Sequence, residues 1–308
     1  MNEISTSPKI APSRGPLPLQ HAADRDGFLK RLGRLARVAR ANPLGSFGAL
    51  LILVLIVVGV LAPLLEPHAI NAFAGPPSLG PSTKFPFGTD KFGQDILSRI
   101  IAGARISLLV GFVSVIAGTV AGMAIGIFSG YKRGWIDGLI QRIVDTLIAF
   151  PALIFLLIII RLLGPSIRNV IIVIAIFIIP NIARIMRGAV LSEVNNQYVD
   201  AARSTGASDL RIVLRHVTPN VFPLAIVIAT TLLGTAILAE ASLSFLGLGI
   251  PPPNPSWGND VSVARTSFPI NTWAALFPGL AIGLTVLGFN LLGDALRDIL
   301  DPRLRGAR

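Results

Sequence analysis

Long apolar segments alternate with short polar segments along most of this chain of 308 residues. A helix needs about 20 mostly apolar residues to cross the hydrocarbon of a bilayer. Two of the apolar runs have only 15 residues, so their charged flanks must lie inside a bundle or reach outward to the interface. The pattern predicts six transmembrane helices, at Leu44–Leu65, Ile106–Gly130, Thr146–Ile160, Asn169–Ala183, Val221–Leu246 and Trp273–Gly293.

Composition supports an all-α integral membrane protein. Hydrophobic residues make up 52% of the chain and charged residues 14%, whereas an average soluble domain has roughly 25% charged residues. A soluble domain of this size would need more polar surface to stay dispersed. Lipid is therefore the expected solvent for most of the chain.

The net charge of +11 follows the predicted topology. If both termini share one side, that side carries 20 of the 27 Lys and Arg residues. Basic residues accumulate on the cytoplasmic side of membrane proteins, so we predict a multi-pass protein of the bacterial plasma (inner) membrane with both termini in the cytoplasm. The charge is thus a topology signal, and we predict no nucleic-acid partner.

The regions around the first predicted span have different compositions. Residues 1–27 are rich in Pro, Ser and Ala, which predicts a disordered cytoplasmic tail. Residues 28–43 alternate leucine with Lys and Arg, which predicts an interfacial amphipathic helix or, equally well, a solvated charged stop before the membrane. Residues 44–65 are then an uncleaved anchor. Residues 66–100 form an extracytoplasmic loop, and residues 101–308 form the core with five further spans.

Residue types that carry catalysis or bind metals are sparse. The chain has no cysteine and three histidines that lie far apart, and it lacks the H-E-x-x-H, G-x-S-x-G and P-loop patterns. We therefore predict a transport subunit rather than an enzyme, without a cofactor of its own. If ATP drives transport, ATP and Mg²⁺ are bound by partner subunits.

Small and polar residues within the spans are candidates for packing or for the solute path. Gly118, Gly122 and Gly126 recur every four residues, which favours close helix packing inside the bundle or at a subunit interface. Arg142 and Asp145 are three residues apart and can pair on one helix face. Glu240 lies near the outer end of its span, where a hydrogen-bonded structural role and a solute-facing role are both open.

The segment at about 188–220 is the longest polar stretch on the predicted cytoplasmic side after the first span. Gly206 predicts a break, because glycine adopts left-handed dihedral angles freely, and Pro219 suits the first turn of a following helix. We expect a short helix, a break, a second helix and re-entry into the membrane. The candidate functional residues are Tyr198, Asp200, Ala201, Ala202, Gly206, Arg211, His216, Pro219 and Asn220.

This segment resembles the EAA loop of ATP-binding-cassette (ABC) importer permeases, in which E-A-A-x-x-x-G precedes a Pro-Asn pair. Asp200 stands where the family usually has Glu. Residues 87–108, 240–258 and 290–303 resemble further blocks of the dipeptide/oligopeptide/nickel branch, with Gln94 in place of the usual Arg. The resemblance covers roughly residues 30–306.

The resemblance implies a type I ABC importer permease fold and the role of the second permease subunit in a binding-protein-dependent importer. Besides the lipid bilayer, it implies three kinds of partner: a second homologous permease subunit, two ABC ATPase subunits in the cytoplasm, and an extracytoplasmic solute-binding protein. Residues 200–205 would then be a coupling helix that sits in a groove of one ATPase. Peptides, either dipeptides or oligopeptides, are the expected solutes.

Several alternatives remain open at this point. Nickel chelates or another small solute are an alternative cargo for the same architecture. A stand-alone secondary transporter is a more distant alternative, which would call for inverted repeats or helices interrupted at the midplane. The predicted outer segments Glu66–Arg99 and Gly249–Asn271 either form a scoop for the binding protein and a plug over the pore, or pack as ordered loops on the partner permease.

Overall fold

The computed structural model describes residues 42–300, and these residues form helices without a strand. The predicted tail over 1–27 and most of the predicted interfacial helix over 28–43 lie outside the described residues. The helices are α1 Pro43–Val60, α2 Ala62–Leu65, α3 Ile96–Lys132, α4 Gly134–Ala149, α5 Ala152–Leu163, α6 Ile167–Glu193, α7 Gln197–Ser204, α8 Asp209–Ile212, α9 Thr218–Phe245, α10 Trp257–Arg265 and α11 Trp273–Leu300.

Helix α3 is longer than the sequence predicts. It begins at Ile96, ten residues before the predicted start, because the Asp95 carboxylate accepts hydrogen bonds from the Ser98 backbone N–H and hydroxyl and caps the first turn. Arg99 and Arg105 therefore lie on a helix and not in the loop before it. The apolar pattern could not show this, because charged residues interrupt it.

The third predicted span, Thr146–Ile160, is not one continuous helix. The chain breaks after Ala149, and α4 and α5 meet at an angle of 96°. Pro151 lies at the break; it has no backbone N–H, and it disfavours helical dihedrals at the preceding Phe150. We call the segment Ala149–Ala152 the elbow.

The bent pair nevertheless crosses the bundle once. Along α3, Gly118 faces Ala175 of α6, and Gly126 faces Ala183, so the two helices run parallel. The intervening chain must return to the opposite end of the bundle, and α4 and α5 are the segments that do so. The bent pair therefore counts as one crossing. Five further helices are each long and apolar enough to span a membrane, so residues 42–300 cross six times.

The fifth span also differs from its prediction. Helical structure runs from Asp209 to Phe245 through a π-helical turn at Val213–Val217, so the expected second short helix and the membrane helix are continuous. Pro219 lies two residues beyond this turn. The proline ring would clash with the carbonyl four residues earlier in a regular helix, and the wider π turn accommodates it.

The outer helices and the loops define two ends of the bundle. Helix α1 packs along α11, where Gly45 meets Ala295, and leaves much of its apolar side exposed. We call one end the α7–α8 end, because it carries these two short helices. The opposite end carries α10 and residues 66–95, and we call it the α10 end.

Candidate functional site

Helix α7 has one buried residue and an outward face. Val199 is fully buried against the core, whereas Asp200, Ala201 and Ser204 are exposed. Ala202 is half-buried. The Asp200 carboxylate accepts from the Arg203 guanidinium at 3.3 Å, and because both side chains are exposed this ion pair contributes little to stability. The outward face is therefore small, polar and available to a partner.

Gly206 forms the predicted break in this loop. Its φ angle is +79°, and a Cβ there would meet no atom within 4 Å. Glycine is therefore needed for its conformation and not for space. Ser208 is the residue before α8, and its side chain makes no capping hydrogen bond.

Tyr198 joins three helices by hydrogen bonds. Its hydroxyl donates to the Glu193 carboxylate at the end of α6 and accepts from the Asn220 amide of α9 at 2.9 Å. The same amide donates to the His216 carbonyl at 2.8 Å. Burial, together with the bond to Glu193, raises the pKa of Tyr198, so the hydroxyl stays a neutral donor.

A second tether links α8 to α3. The Tyr131 hydroxyl at the end of α3 donates to Asp209 Oδ1 at 2.7 Å, and the Lys132 ammonium lies 3.8 Å from the other carboxylate oxygen. Ile212 is fully buried just beyond. The loop is thus attached by hydrogen bonds to the ends of three membrane helices, α3, α6 and α9.

Apolar residues are exposed on the outer side of α8 and of the π-helical turn that follows it. Leu210 and Leu214 are 69% and 62% exposed and lie four residues apart, so they share one helix face. Arg211 and Pro219 are also exposed, and His216 is half-buried beside the Tyr198 ring, with the ring centroids 6.2 Å apart. Exposed leucines beside charged groups are typical of an interaction surface. The arrangement provides a surface on which a partner can bind, and these residues include no nucleophile–base pair that could act in catalysis.

Glu240 is fully buried between α3 and α9. Its two carboxylate oxygens accept hydrogen bonds from the Ser107 hydroxyl at 3.0 Å and the Ser244 hydroxyl at 2.8 Å. Within the described chain this carboxyl group therefore faces protein and not an open path. Ser244 lies one turn further along α9, whereas Ser107 is 133 residues away, so spacing along the chain could suggest the first contact but not the second.

Asp145 does not pair with Arg142 as the spacing suggested. Its carboxylate accepts from the Arg184 guanidinium of α6, and both side chains of this ion pair are exposed, at 60% and 48% respectively. Asp137, about two helical turns earlier, similarly pairs with Arg187 at 2.5 Å. The partners come from the neighbouring helix, because α4 packs along the last turns of α6.

A buried ion pair at the α10 end was missed by the sequence analysis. Arg99 donates to Asp260 Oδ1 from Nε at 2.8 Å and to Gln94 from Nη1 at 2.7 Å. Burial raises the pKa of Asp260 to about 6, and the charge and hydrogen bonds of Arg99 partly oppose this shift. The two residues are 161 positions apart, so spacing could not bring them together.

The glycine stripe lies inside this chain's own bundle. A Cβ added at Gly118, Gly122 or Gly126 would come within 2.8, 2.7 and 2.5 Å of α6 atoms, respectively. No real Cβ tolerates such distances, so glycine is required for the close approach of α3 and α6. Of the two packing roles left open, contact within the chain is the one observed.

Comparison with known proteins places the chain in a family. The sequence model described as "Binding-protein-dependent transport system inner membrane component" matches residues 122–306. The chain is 44% identical over 259 residues to glutathione transport system permease proteins GsiD of Escherichia coli O6:K15:H31 (strain 536 / UPEC) and of Shigella boydii serotype 4 (strain Sb227). These alignments cover 83% of this chain and 86% of each relative.

The fold has a counterpart among solved structures. A chain of the MetNI methionine ABC transporter, described in inward-facing conformations, superposes with a TM-score of 0.56 at 20% sequence identity. The match covers 67% of this chain and 98% of that one. It confirms the type I ABC importer permease fold expected from the sequence. The family model, the extensive identity to the GsiD permeases and the shared fold lead to one conclusion: this chain belongs to the inner-membrane permeases of ABC importers, in the dipeptide/oligopeptide/nickel family.

Proposed function

We propose that this chain is one of two different permease subunits of an ATP-driven importer for peptides. Two ATPase subunits drive the importer, and a solute-binding protein delivers the peptide. ATP and Mg²⁺ act in the ATPases and not in this chain. The observation that carries the proposal is the attachment of the 188–220 loop to three spans, through Tyr198, Asn220 and Asp209.

In this proposal the α7–α8 end faces the cytoplasm, together with both termini. The excess of Lys and Arg on this side of the predicted topology supports the orientation. Asp200 and its neighbours then sit in a groove of one ATPase. Closure of the ATPase dimer displaces the loop, and its tethers rotate α3, α6 and α9.

The proposed cargo follows from the relatives. The GsiD proteins are named for glutathione, which is a tripeptide. Dipeptides and oligopeptides are therefore the first solutes to test, with nickel chelates as the alternative. Binding measurements on the partner solute-binding protein, with a peptide library against metal chelates, separate the two.

Gly206→Pro tests the coupling role. Proline cannot adopt the φ of +79° that the break requires, so the rigid loop is lost while the spans still insert. We expect ATP hydrolysis in the reconstituted transporter to lose its link to peptide uptake. Gly247→Pro is the matched control, since Gly247 also has a φ of +79° but lies at the other end of α9. Uptake that survives Gly206→Pro would contradict the coupling role.

Asp200→Lys tests the contact with the ATPase. Reversal of an exposed charge on the outward face of α7 should reduce the amount of ATPase that co-purifies from detergent. Asp298→Lys makes the same charge change at an exposed position of α11, outside the loop. Equal co-purification of the ATPase with both variants would argue that α7 is not the contact.

A further inference from the structure

The elbow between α4 and α5 leaves irregular backbone exposed at the middle of the bundle. Phe150 is 47% exposed, and Pro151 and Ala152 are exposed beside it. The elbow lies against Ile176 and Pro180, which are near the centre of the 27-residue helix α6. Non-helical backbone at membrane depth persists only where protein buries it or where it lines a water-filled cavity. In this chain it is not buried.

A polar stripe on α6 runs toward the elbow from the α7–α8 end. Arg184 lies nine residues before the end of the helix, and Asn181 lies one turn further in, about 18 Å from that end at 1.5 Å per residue. The Asn181 amide makes no hydrogen bond to any residue within 42–300. The exposed ion pair of Arg184 and Asp145 continues the stripe across to α4.

These groups are incompatible with lipid. An amide without a hydrogen-bond partner costs about 2–7 kcal/mol in an apolar medium, depending on the reference state, and exposed charges within a span normally face protein or water. By contrast, the larger opening of about 780 Å³ between α3 and α9 is lined mainly by apolar residues such as Ile116, Val120 and Phe222. Lipid or an apolar helix can cover that opening, but not the polar stripe.

We propose that the elbow and the polar stripe of Asn181, Arg184 and Asp145 form part of the wall of the solute path and contact a carboxylate-bearing peptide. The assignment of a peptide rests on the proposed function; the assignment of a water-filled path does not. A cavity of about 240 Å³ at the elbow is lined by Phe150, Phe155 and Phe177, with Asn181 at its edge. It has room for an apolar side chain of the solute.

The chemistry of the stripe suits a peptide terminus. The Arg184 guanidinium can turn from Asp145 to a solute carboxylate, because arginine binds carboxylates through two parallel hydrogen bonds. Asp145 is then free to accept from an ammonium group. Both side chains are half-exposed, so this exchange needs no rearrangement of the core.

The absence of cysteine in this chain permits a direct test. Asn181→Cys is compared with Leu53→Cys, a control at an exposed position near the middle of α1, surrounded by exposed apolar residues. Each variant is assembled into the complete transporter in membrane vesicles. A charged, membrane-impermeant methanethiosulfonate is then added to these vesicles. Labelling is measured on this subunit after electrophoresis.

A thiol in lipid stays protonated and out of reach of the reagent, whereas the reactive thiolate forms in water. We expect Asn181→Cys to react at least about tenfold faster than Leu53→Cys, and excess peptide to slow the reaction. Equal, slow labelling of both variants with and without ATP would overturn the path assignment, because it would place the stripe against the partner permease.

Arg184→Gln tests the carboxylate contact. Uptake of a peptide with a free C-terminus should fall more than uptake of its C-terminal amide, whereas a purely structural role would lower both alike and so refute the contact. If the unmodified transporter moves no peptide but Asn181→Cys is labelled rapidly, the proposed cargo fails and the path remains. If peptides are transported but labelling stays slow, the path fails and the cargo remains.

Discussion

The α10 end of the bundle buries an ion pair, whereas the loop at the α7–α8 end leaves charged and apolar side chains exposed. At the α10 end, Arg99, Asp260 and nearby Glu240 are buried and bonded to other residues of this chain. At the α7–α8 end, Asp200, Leu210 and Leu214 are exposed. The first arrangement is completed within the subunit, whereas the second is a surface that, under the proposed function, an ATPase covers.

Substitutions at the two ends should therefore have different primary effects, on stability at one end and on function at the other. Substitutions at the α10 end should alter folding first and transport only as a consequence. Substitutions at the α7–α8 end should leave the subunit folded and disturb its work with the ATPases. The predictions below test that division, in order of their expected effect on the free energy of unfolding.

Arg99→Ala should have the largest effect. It leaves the Asp260 carboxylate buried without its partner, which typically costs about 3–5 kcal/mol. We expect a large fall in the amount of monodisperse protein and in its apparent melting temperature in detergent. The double variant Arg99→Leu/Asp260→Leu removes both charges and should recover most of the loss. A single variant as stable as the unmodified subunit would show that the pair is not buried.

Gly126→Ala should have the next largest effect on stability. It tests the close packing of α3 on α6, two helices that run between the ends of the bundle. The new Cβ would lie 2.5 Å from the Ala183 carbonyl oxygen, and such overpacking typically costs about 1–3 kcal/mol. Gly138→Ala is the control on α4, where nothing lies within 4 Å, and it should be neutral or slightly stabilising. Equal melting temperatures for the two variants would refute the close contact of α3 with α6.

The pH dependence of stability tests Asp260 itself. Its pKa is about 6 in the folded chain, against 3.8 for an unperturbed aspartate, so the folded state binds this proton more tightly than the unfolded state. This group's contribution to the free energy of unfolding therefore falls as pH rises from about 4 to about 6, by about 1 kcal/mol between pH 5 and pH 7. Melting curves of Asp260→Asn and of the unmodified subunit are compared at pH 5 and pH 7. The stability of the variant should not show the fall between these pH values that Asp260 causes in the unmodified subunit.

Tyr198→Phe should have the smallest effect on stability and a clear effect on function. It removes one partly exposed hydroxyl and its bonds to Glu193 and Asn220, worth about 0.5 kcal/mol. We expect an unchanged melting temperature but weaker stimulation of ATP hydrolysis by the loaded binding protein. Loss of stability without loss of coupling would reverse the proposed division between the two ends.

Sequence patterns were most informative where the determinant is local. Apolar runs located all six crossings, and the Gly206 break and the Asp200–Asn220 block identified the loop and the family. The recurrence of glycine every four residues identified the face of α3 that packs closely on another helix. In each case the relevant contacts or dihedral angles belong to residues that are close in the chain, so a linear pattern contains them.

The sequence by itself determined the class of protein, the number of crossings and the position of the 188–220 loop. Only the tertiary structure decided that α4 and α5 bend at Pro151, that Asp145 pairs with Arg184, and that Arg99 meets Asp260. Both ion pairs join residues that are far apart in the chain, and hydropathy does not encode which helix lies alongside another. Pro151 predicts a break in the helix but not the angle of 96°. Close packing and the cost of unpaired polar groups in lipid select the neighbours, and both act only once the helices have assembled.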